Sequence, residues 1–367
     1  PDMKSALVDY IMSDGVTHGL DMFTEAKEAF LISFSERILK PRGMDHRMMF
    51  QGPTGANAVE AALKLARKAT GRENVIAFTN GYHGVTTGAL AATGNGSQRA
   101  GSRSQLTGVT RMAYDGFHGE GVDSAQMLDD MLGDTSSGID APAAILLECI
   151  QGEGGLNVAS KEFLQRLSAI AKKHGALLII DDIQAGCGRS GDFFAFEFAG
   201  IQPDIITMAK SLSGFGLPMS MVLVKPEYDV FTPAEHNGTF RGNNHAFVTA
   251  RAALEKFWAD DAFATDIRRK ADYLNQRLGA IAESYGFRVK GRGMMRGIDT
   301  GSGDKAAEIC AAAFERGLVI ETAGSSDEIV KVLAPLTISD ETFARGLDIV
   351  AEAFETVLRA PARVAAE

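Results

Sequence analysis

Lys210 and Asp181 are the residues of this chain most able to do chemistry together. Each follows an apolar run that reads as a buried strand: Leu177 to Ile180 ends in Asp181 and Asp182, and Ile205 to Met208 is followed by Ala209 and Lys210. Ionisable groups in those places do not serve packing. In an open parallel sheet ligands bind beyond the carboxyl ends of the strands, so an acid on one strand and an amine on the next can converge on one small molecule. A lysine alone after a strand is ordinarily solvated. Its pairing with Asp181 is what singles Lys210 out.

Three further stretches bring polar groups to the same side of such a sheet. In GPTGANAVEAALKLARKATG, Thr54, Gly55 and Ala56 open a helix whose apolar stripe is Val59, Ala62, Leu63 and Ala66. A glycine-bearing turn at a helix start presents free N–H groups and the positive dipole end, a site for a phosphate. Thr54 as an ordinary N-cap is the plainer alternative, and without GK[ST] the stretch is no nucleotide P-loop. Val75 to Thr79 runs into Asn80, Gly81, Tyr82, His83 and Gly84, where Tyr82 could stack on a flat ring or simply pack at a rim. Ala143 to Leu147 ends in Glu148, and QGEGG after it brings Glu153. A polar loop, Asn237 to Gly242, holds Thr239 and Arg241.

The elements that must position these groups follow from composition and periodicity. At 367 residues and 45% hydrophobic content the chain can bury a large core, with one large and one smaller domain expected. A formal charge of -10 argues against general nucleic-acid or anionic-membrane binding. No apolar run approaches a membrane span. Cys149, Cys187 and Cys310 are too scattered for a disulfide framework or metal cluster, and the seven histidines show no ligand spacing, so no metal is expected and a reducing, cytoplasmic setting fits. The chain opens at Pro1 rather than methionine, which leaves a preceding segment open.

Helical spacing covers Met3 to Met12, Thr24 to Leu39, Leu164 to His174, a long pattern from about Ala246 through Tyr285, Ala306 to Arg316 and Asp340 to Leu358. Gly94 to Gly138 shows little periodicity except near Met127 to Leu132 and reads as loops and short helices. Met219 to Val224 is a further strand, and RVKGRGMMRGIDT, GLVIET and IVKVLAPLTI read as short strands. Strands alternating with helices predict an α/β fold with a doubly wound, mostly parallel sheet, as residues 1–255, and a smaller α/β domain, as residues 256–367.

A lysine, an acid, an aromatic and an anion site at strand ends are what pyridoxal 5'-phosphate requires. In LLIIDDIQAGCGRSG, DIITMAKSLSGFGLP, TGANAVEAALKLAR, YHG and NGTFRGNN the sequence resembles the class III (omega) aminotransferases of fold type I, over essentially its whole length. The resemblance implies a mixed, mostly parallel seven-stranded sheet in the large domain and pyridoxal phosphate as cofactor. It makes Lys210 the Schiff-base lysine and Asp181 the acid at the pyridine nitrogen. Gln184 is then at the ring 3-oxygen, Tyr82 and His83 lie beside the ring, and Thr54, Gly55 and Ala56 hold the phosphate. Thr239 matches a threonine that reaches the phosphate from a neighbouring subunit, so the resemblance implies at least a homodimer.

Within the family the blocks most resemble the branch of ectoine biosynthesis that interconverts L-glutamate and L-aspartate 4-semialdehyde with 2-oxoglutarate and L-2,4-diaminobutyrate. Ornithine, acetylornithine or 4-aminobutyrate transamination and a semialdehyde aminomutase stay open. A non-catalytic regulator domain is disfavoured by the intact Lys210 and the lack of a DNA-binding segment. Three departures stand out. Asp182 replaces the family's glutamate, Ala334 replaces a proline, and Lys331 replaces the arginine that in the family holds the substrate α-carboxylate and pairs with the acid matching Glu153 when a different substrate is present. A lysine is a point charge that cannot fork bidentately. Glu153 and Lys331 are thus expected to share substrate recognition, with Arg241 as the alternative anchor or Lys331 as a solvated rim residue. The family also implies a pocket-lining segment ahead of Pro1.

Overall fold

Alternation along short strands decides how this molecule is layered. A computed structural model describes residues 2–119 and 121–359. In chain order the first strands are β1 (Arg47–Met49), β2 (Val75–Phe78), β3 (Val109–Met112), β4 (Ala144–Leu147), the two-residue β5 (Ile150–Gln151) and β6 (Asn157–Val158), β7 (Leu177–Asp181), β8 (Ile205–Met208) and β9 (Met221–Val224). Seven of them form one sheet in the order β1-β9-β8-β7-β4-β2-β3. Strand β9 is antiparallel to both of its neighbours, and the β2, β3, β4, β7 and β8 pairings are parallel.

Helices α1 (Asp2–Met12), α2 (Glu25–Phe34), α3 (Gly55–Thr70), α4 (Thr87–Ala92), α5 (Ser124–Gly133), α6 (Lys161–His174) and α7 (Asn244–Phe257) accompany this sheet. Strands β2, β4, β7, β8 and β9 are buried at every residue, as strands covered on both faces must be. Successive side chains point to opposite faces. Val75, Ala77, Ala144, Leu146, Leu177 and Ile179 pack with Val59, Ala62 and Leu63 of α3. Ile76, Phe78, Ile145, Leu147, Leu178 and Ile180 pack on the other face with Phe163, Leu164 and Leu167 of α6. Each fully buried side chain of this size contributes about 1.5–3 kcal/mol, so the strand ends rest on a rigid platform. The same pleat separates the two acids, sending Asp181 with Leu177 and Ile179 and Asp182 with Leu178 and Ile180.

Beyond α7 come α8 (Ala262–Tyr285), β10 (Arg288–Arg292), β11 (Met295–Asp299), α9 (Gly303–Glu315), β12 (Glu321–Ala323), β13 (Ile329–Val332) and α10 (Asp340–Leu358). The four strands form an antiparallel sheet in the order β10-β11-β13-β12. Ile267, Leu274, Ile298, Ile309, Val330, Phe343 and Leu347 build its own core. We propose a domain division near residue 255, because α7 buries Phe247 and Leu254 in the first core and α8 buries Ile267 and Leu274 in the second. Of the expected small domain, residues 360–367 lie outside the described residues.

The structure corrects the sequence reading in four places. The single pattern from Ala246 to Tyr285 is two helices, broken after Phe257 where Trp258 turns edge-on to Phe193 and Phe263. Gly94 to Gly138 holds an edge strand, β3, with only Met112 buried, so no apolar run announces it. In GLVIET the strand begins only at Glu321. The helix from Thr24 ends at Phe34 and continues as a π turn over Ser35–Leu39. Among the described residues no helix is long and apolar enough to cross a membrane.

Candidate active site

Strands β7 and β8 are parallel neighbours, so their carboxyl ends open side by side. Asp181 closes β7, while Lys210 begins a 3-10 turn, Lys210–Ser213, with only Ala209 between it and the end of β8 at Met208. Lys210 has φ +50, a left-handed backbone rarely held by a residue with a side chain. Such a conformation costs on the order of 1–3 kcal/mol and persists where the surroundings impose it. Lys210 and Asp181 line one cavity of about 480 Å³ together with Tyr82, His83, Glu148, Glu153, Gln184, Gly55 and Ala56.

Asp181 is held on both oxygens. Its Oδ2 accepts from His83 Nδ1 at 2.8 Å, and its Oδ1 accepts from Thr207 Oγ1 and Ile183 N, each at 3.2 Å. Thr207 stands opposite Asp181 in the β7–β8 ladder, so the register itself supplies that donor. Burial works against the charged imidazole of His83, but the hydrogen bond and charge of Asp181 outweigh it and raise its pKa. Asp182, one residue on, faces the opposite side and accepts from Ala195 N at 3.2 Å. Burial pushes its pKa up to about 8, and its carboxyl does not line the cavity.

Glu148 pins two loops. Its Oε1 accepts from Tyr82 N at 2.9 Å and its Oε2 from Gly152 N at 3.0 Å, tying the turn after β2 to the turn after β5. Burial pushes Glu148 up to about 7, with the His83 charge acting against the rise and Asp181 adding to it. Gly84, at φ +123, lets the same loop lie against helix α3: a Cβ there would sit 2.8 Å from Ala56 Cβ. Tyr82 is thereby set on the cavity wall, where burial and then Glu153 raise its hydroxyl pKa.

Helix α3 presents its first turn to the cavity through Gly55 and Ala56. Thr54 caps it, its Oγ1 accepting from Asn57 N at 3.2 Å and its carbonyl from Ala58 N at 3.2 Å. The amides of Gly55 and Ala56 lie ahead of those bonds, at the positive end of a sixteen-residue helix. Thr54 itself is exposed.

A charge cluster joins this cavity to a second one: Glu153 and Gln184 line the first, Lys331 and Glu321 the second. Glu153 sits in the turn between β5 and β6, and its Oε1 accepts from Gln184 Nε2 at 2.9 Å and Lys331 Nζ at 3.0 Å. Those donors lower the Glu153 pKa against the effect of burial. Lys331 Nζ also reaches Glu321 Oε1 at 3.1 Å. Lys331 is 1% exposed, so it is no solvated rim residue. Gln184 Oε1 is buried without a partner among the described residues, an acceptor left open. Lys210 has its pKa lowered by burial, although Glu153, Glu148 and Asp181 oppose that.

These features fit pyridoxal phosphate: a buried amine whose pKa is lowered, an acid held in place for a ring nitrogen, an open amide acceptor and a helix start for an anion. Thr239 and Arg241 stand apart from the cavity in this single chain. Thr239 is exposed, and Arg241 Nη1 pairs with Asp21 Oδ1 at 3.7 Å and donates to Asn237 Oδ1 at 3.3 Å. Sequence reasoning gave no role to Glu148, Thr207 or Glu321. For Glu148 the signal was available, a carboxylate directly after a fully apolar strand; the other two depend on strand register.

The chain matches the class-III aminotransferase family over residues 5–354. A diaminobutyrate–2-oxoglutarate transaminase of Vibrio parahaemolyticus is 55% identical over 360 residues, covering 97% of this chain and 85% of the relative. One of Halomonas elongata is 54% identical over 356 residues, covering 95% and 85%. Among solved structures, a Bacillus anthracis aminotransferase superposes with a TM-score of 0.85 at 25% identity, covering 96% of this chain and 85% of that one. The ornithine aminotransferase of Toxoplasma gondii gives 0.82 at 26%, covering 98% and 83%.

Proposed function

This chain belongs to the class-III aminotransferases, and from that premise we propose that it moves the amino group of L-glutamate to L-aspartate 4-semialdehyde, giving L-2,4-diaminobutyrate and 2-oxoglutarate. That is a step that feeds ectoine synthesis. The reading rests on Lys210, Asp181 and the start of α3 surrounding one cavity in a chain 55% identical to a relative of that name.

Bound there, pyridoxal phosphate would supply the electron sink that makes the carbon bearing the amine acidic. Asp181, oriented by His83 and Thr207, would hold a proton on the ring nitrogen through its charge, an effect of about one to three pKa units at contact range. Gly55, Ala56 and Thr54 would take the phosphate, Gln184 the ring oxygen and Tyr82 the ring face. Lys210 Nζ, its pKa lowered by burial, is the base that takes a proton from the amine-bearing carbon of the donor and returns one to the acceptor. Glu153 and Lys331 sort the groups on the reacting carbon. The α-carboxylate that glutamate carries there would meet the Lys331 ammonium; diaminobutyrate, reacting at its terminal amine, carries none on that carbon and leaves Glu153 paired to Lys331.

We also propose a cytoplasmic homodimer. Thr239 and Phe240, the latter 60% exposed, lie on a loop that Asn237 and Arg241 tie to Asp21; next to Asp21 in the chain, Met22 and Phe23 are 59% and 88% exposed, and these apolar side chains suit a second copy. Sedimentation at assay concentration should give a dimer or larger, and an active monomer would refute it. The substrate reading is tested by the visible spectrum of the purified protein and a donor panel with 2-oxoglutarate. Diaminobutyrate should be preferred over ornithine and 4-aminobutyrate; equal turnover of ornithine would overturn the choice of substrate and leave the transaminase standing.

A further inference from the structure

We propose that Glu321 is a standing counter-charge on Lys331 that sets how strongly the cavity binds a substrate carboxylate. The proposal rests on the cavity described above being the substrate site. Lys331 Nζ lies between two acids, Glu153 at 3.0 Å and Glu321 at 3.1 Å, while its side chain is wholly buried. The two acids are held differently. Glu321 stands directly opposite Lys331 in the β12–β13 ladder, so backbone pairing holds its Cα beside the lysine whatever fills the cavity. Glu153 sits in the turn between β5 and β6 and lines the catalytic cavity itself. Glu321 comes from the other side, where it and Lys331 line a separate cavity of about 310 Å³.

A buried ammonium left without a partner is strongly disfavoured. If Glu153 were the sole partner, a substrate carboxylate could replace it only by passing through that unpaired state. With Glu321 in place the lysine keeps one carboxylate throughout the exchange. An ammonium has three N–H donors, and two are engaged here, so one remains for an incoming oxygen. The same counter-charge also weakens the attraction for that oxygen, since Lys331 is already partly neutralised. Glu321 is therefore a positioning residue that eases the exchange of Glu153 for a substrate carboxylate and moderates affinity for dicarboxylates, without lining the cavity that holds the reacting atoms.

The test is the binding of glutarate, an unreactive dicarboxylate, to the holoenzyme by calorimetry. Glu321→Gln removes the charge and keeps the shape, and should tighten glutarate by about two- to fivefold, the range open to a pair with one exposed partner. Glu321→Asp keeps the charge and should stay near the wild type. The KM for 2-oxoglutarate should fall with the glutarate constant in Glu321→Gln, with no matching rise in kcat. A tighter-binding variant cannot arise from misfolding. Unchanged or weaker glutarate binding in Glu321→Gln would overturn the proposal, and so would equal tightening in Glu321→Asp. If glutarate tightens but diaminobutyrate is not a substrate, the substrate assignment falls and the counter-charge stands; if diaminobutyrate turns over and glutarate does not move, the reverse holds.

Discussion

The two ends of the cavity are built on opposite plans. At one end Asp181 is enclosed by His83, Thr207 and the Ile183 amide, all on or beside adjoining parallel strands of a sheet buried on both faces. Each oxygen has its donor, and nothing is left to exchange. At the other end Glu153, which lines the cavity from a turn, meets Lys331 from an antiparallel strand of the second sheet, and Lys331 in turn meets Glu321 from a neighbouring strand. One cation with two acids can give up one of them and still keep a partner. A chemical step common to all substrates needs the first kind of site, and a reaction that must accept two differently charged substrates needs the second.

Substitutions at the fixed end should carry the largest effects. Lys210→Ala should lower transamination by more than about 10⁴-fold, since general-base catalysis alone is worth about 10²–10⁴-fold and covalent attachment is lost with it. Its borohydride-trapped lysyl adduct should vanish; an adduct mapped to Lys331 would exchange the roles of the two ends. Asp181→Asn should cost about a hundredfold or more in turnover while cofactor absorbance persists, because an amide offers no charge to the ring nitrogen. Near-normal turnover there would shift the essential acid elsewhere.

The exchangeable end should respond less and selectively. Lys331→Met removes a charged hydrogen bond, worth about 1.5–3 kcal/mol, and should slow the glutamate half-reaction by that factor without altering the cofactor spectrum. A uniform loss with every donor would mean that Lys331 supports structure rather than recognition.

The smallest effect on activity is expected at Asp182, which shares the strand end with Asp181 but not the cavity. Its folded pKa is raised to about 8, far above that of an unfolded carboxyl, so the stability it contributes is full below the ordinary carboxylate range and is lost as pH rises toward 8. Asp182→Asn should keep activity and show a smaller fall of Tm between pH 4 and 8 than the wild type. Glu148, raised to about 7, has the same sign, so part of the slope will remain. An unchanged slope would mean that Asp182 is ionised in the folded state.

Much of the site was legible because it lies next to strong local signals. Lys210 and Asp181 end continuous apolar runs, Gly55 follows a capping threonine before an amphipathic helix, and Tyr82 follows β2. Edge strand β3 was not legible, since Thr110 and Arg111 face no core that would demand an apolar pattern. Nor was the break at Trp258, where helical spacing continues on both sides while the two helices join different cores.

What the sequence alone determines here is a set of local facts: which strands are buried, where they stop, and which charged residues stand at their ends. Period-two alternation even implies that Asp181 and Asp182 part to opposite faces. What only the tertiary structure decides is partnership across distance. Thr207 reaches Asp181 through strand register, Glu148 finds Tyr82 at a separation of 66 residues, and Lys331 finds Glu153 at a separation of 178 residues. No local pattern encodes those meetings, because each depends on two segments closing over a common core whose packing sets their relative position.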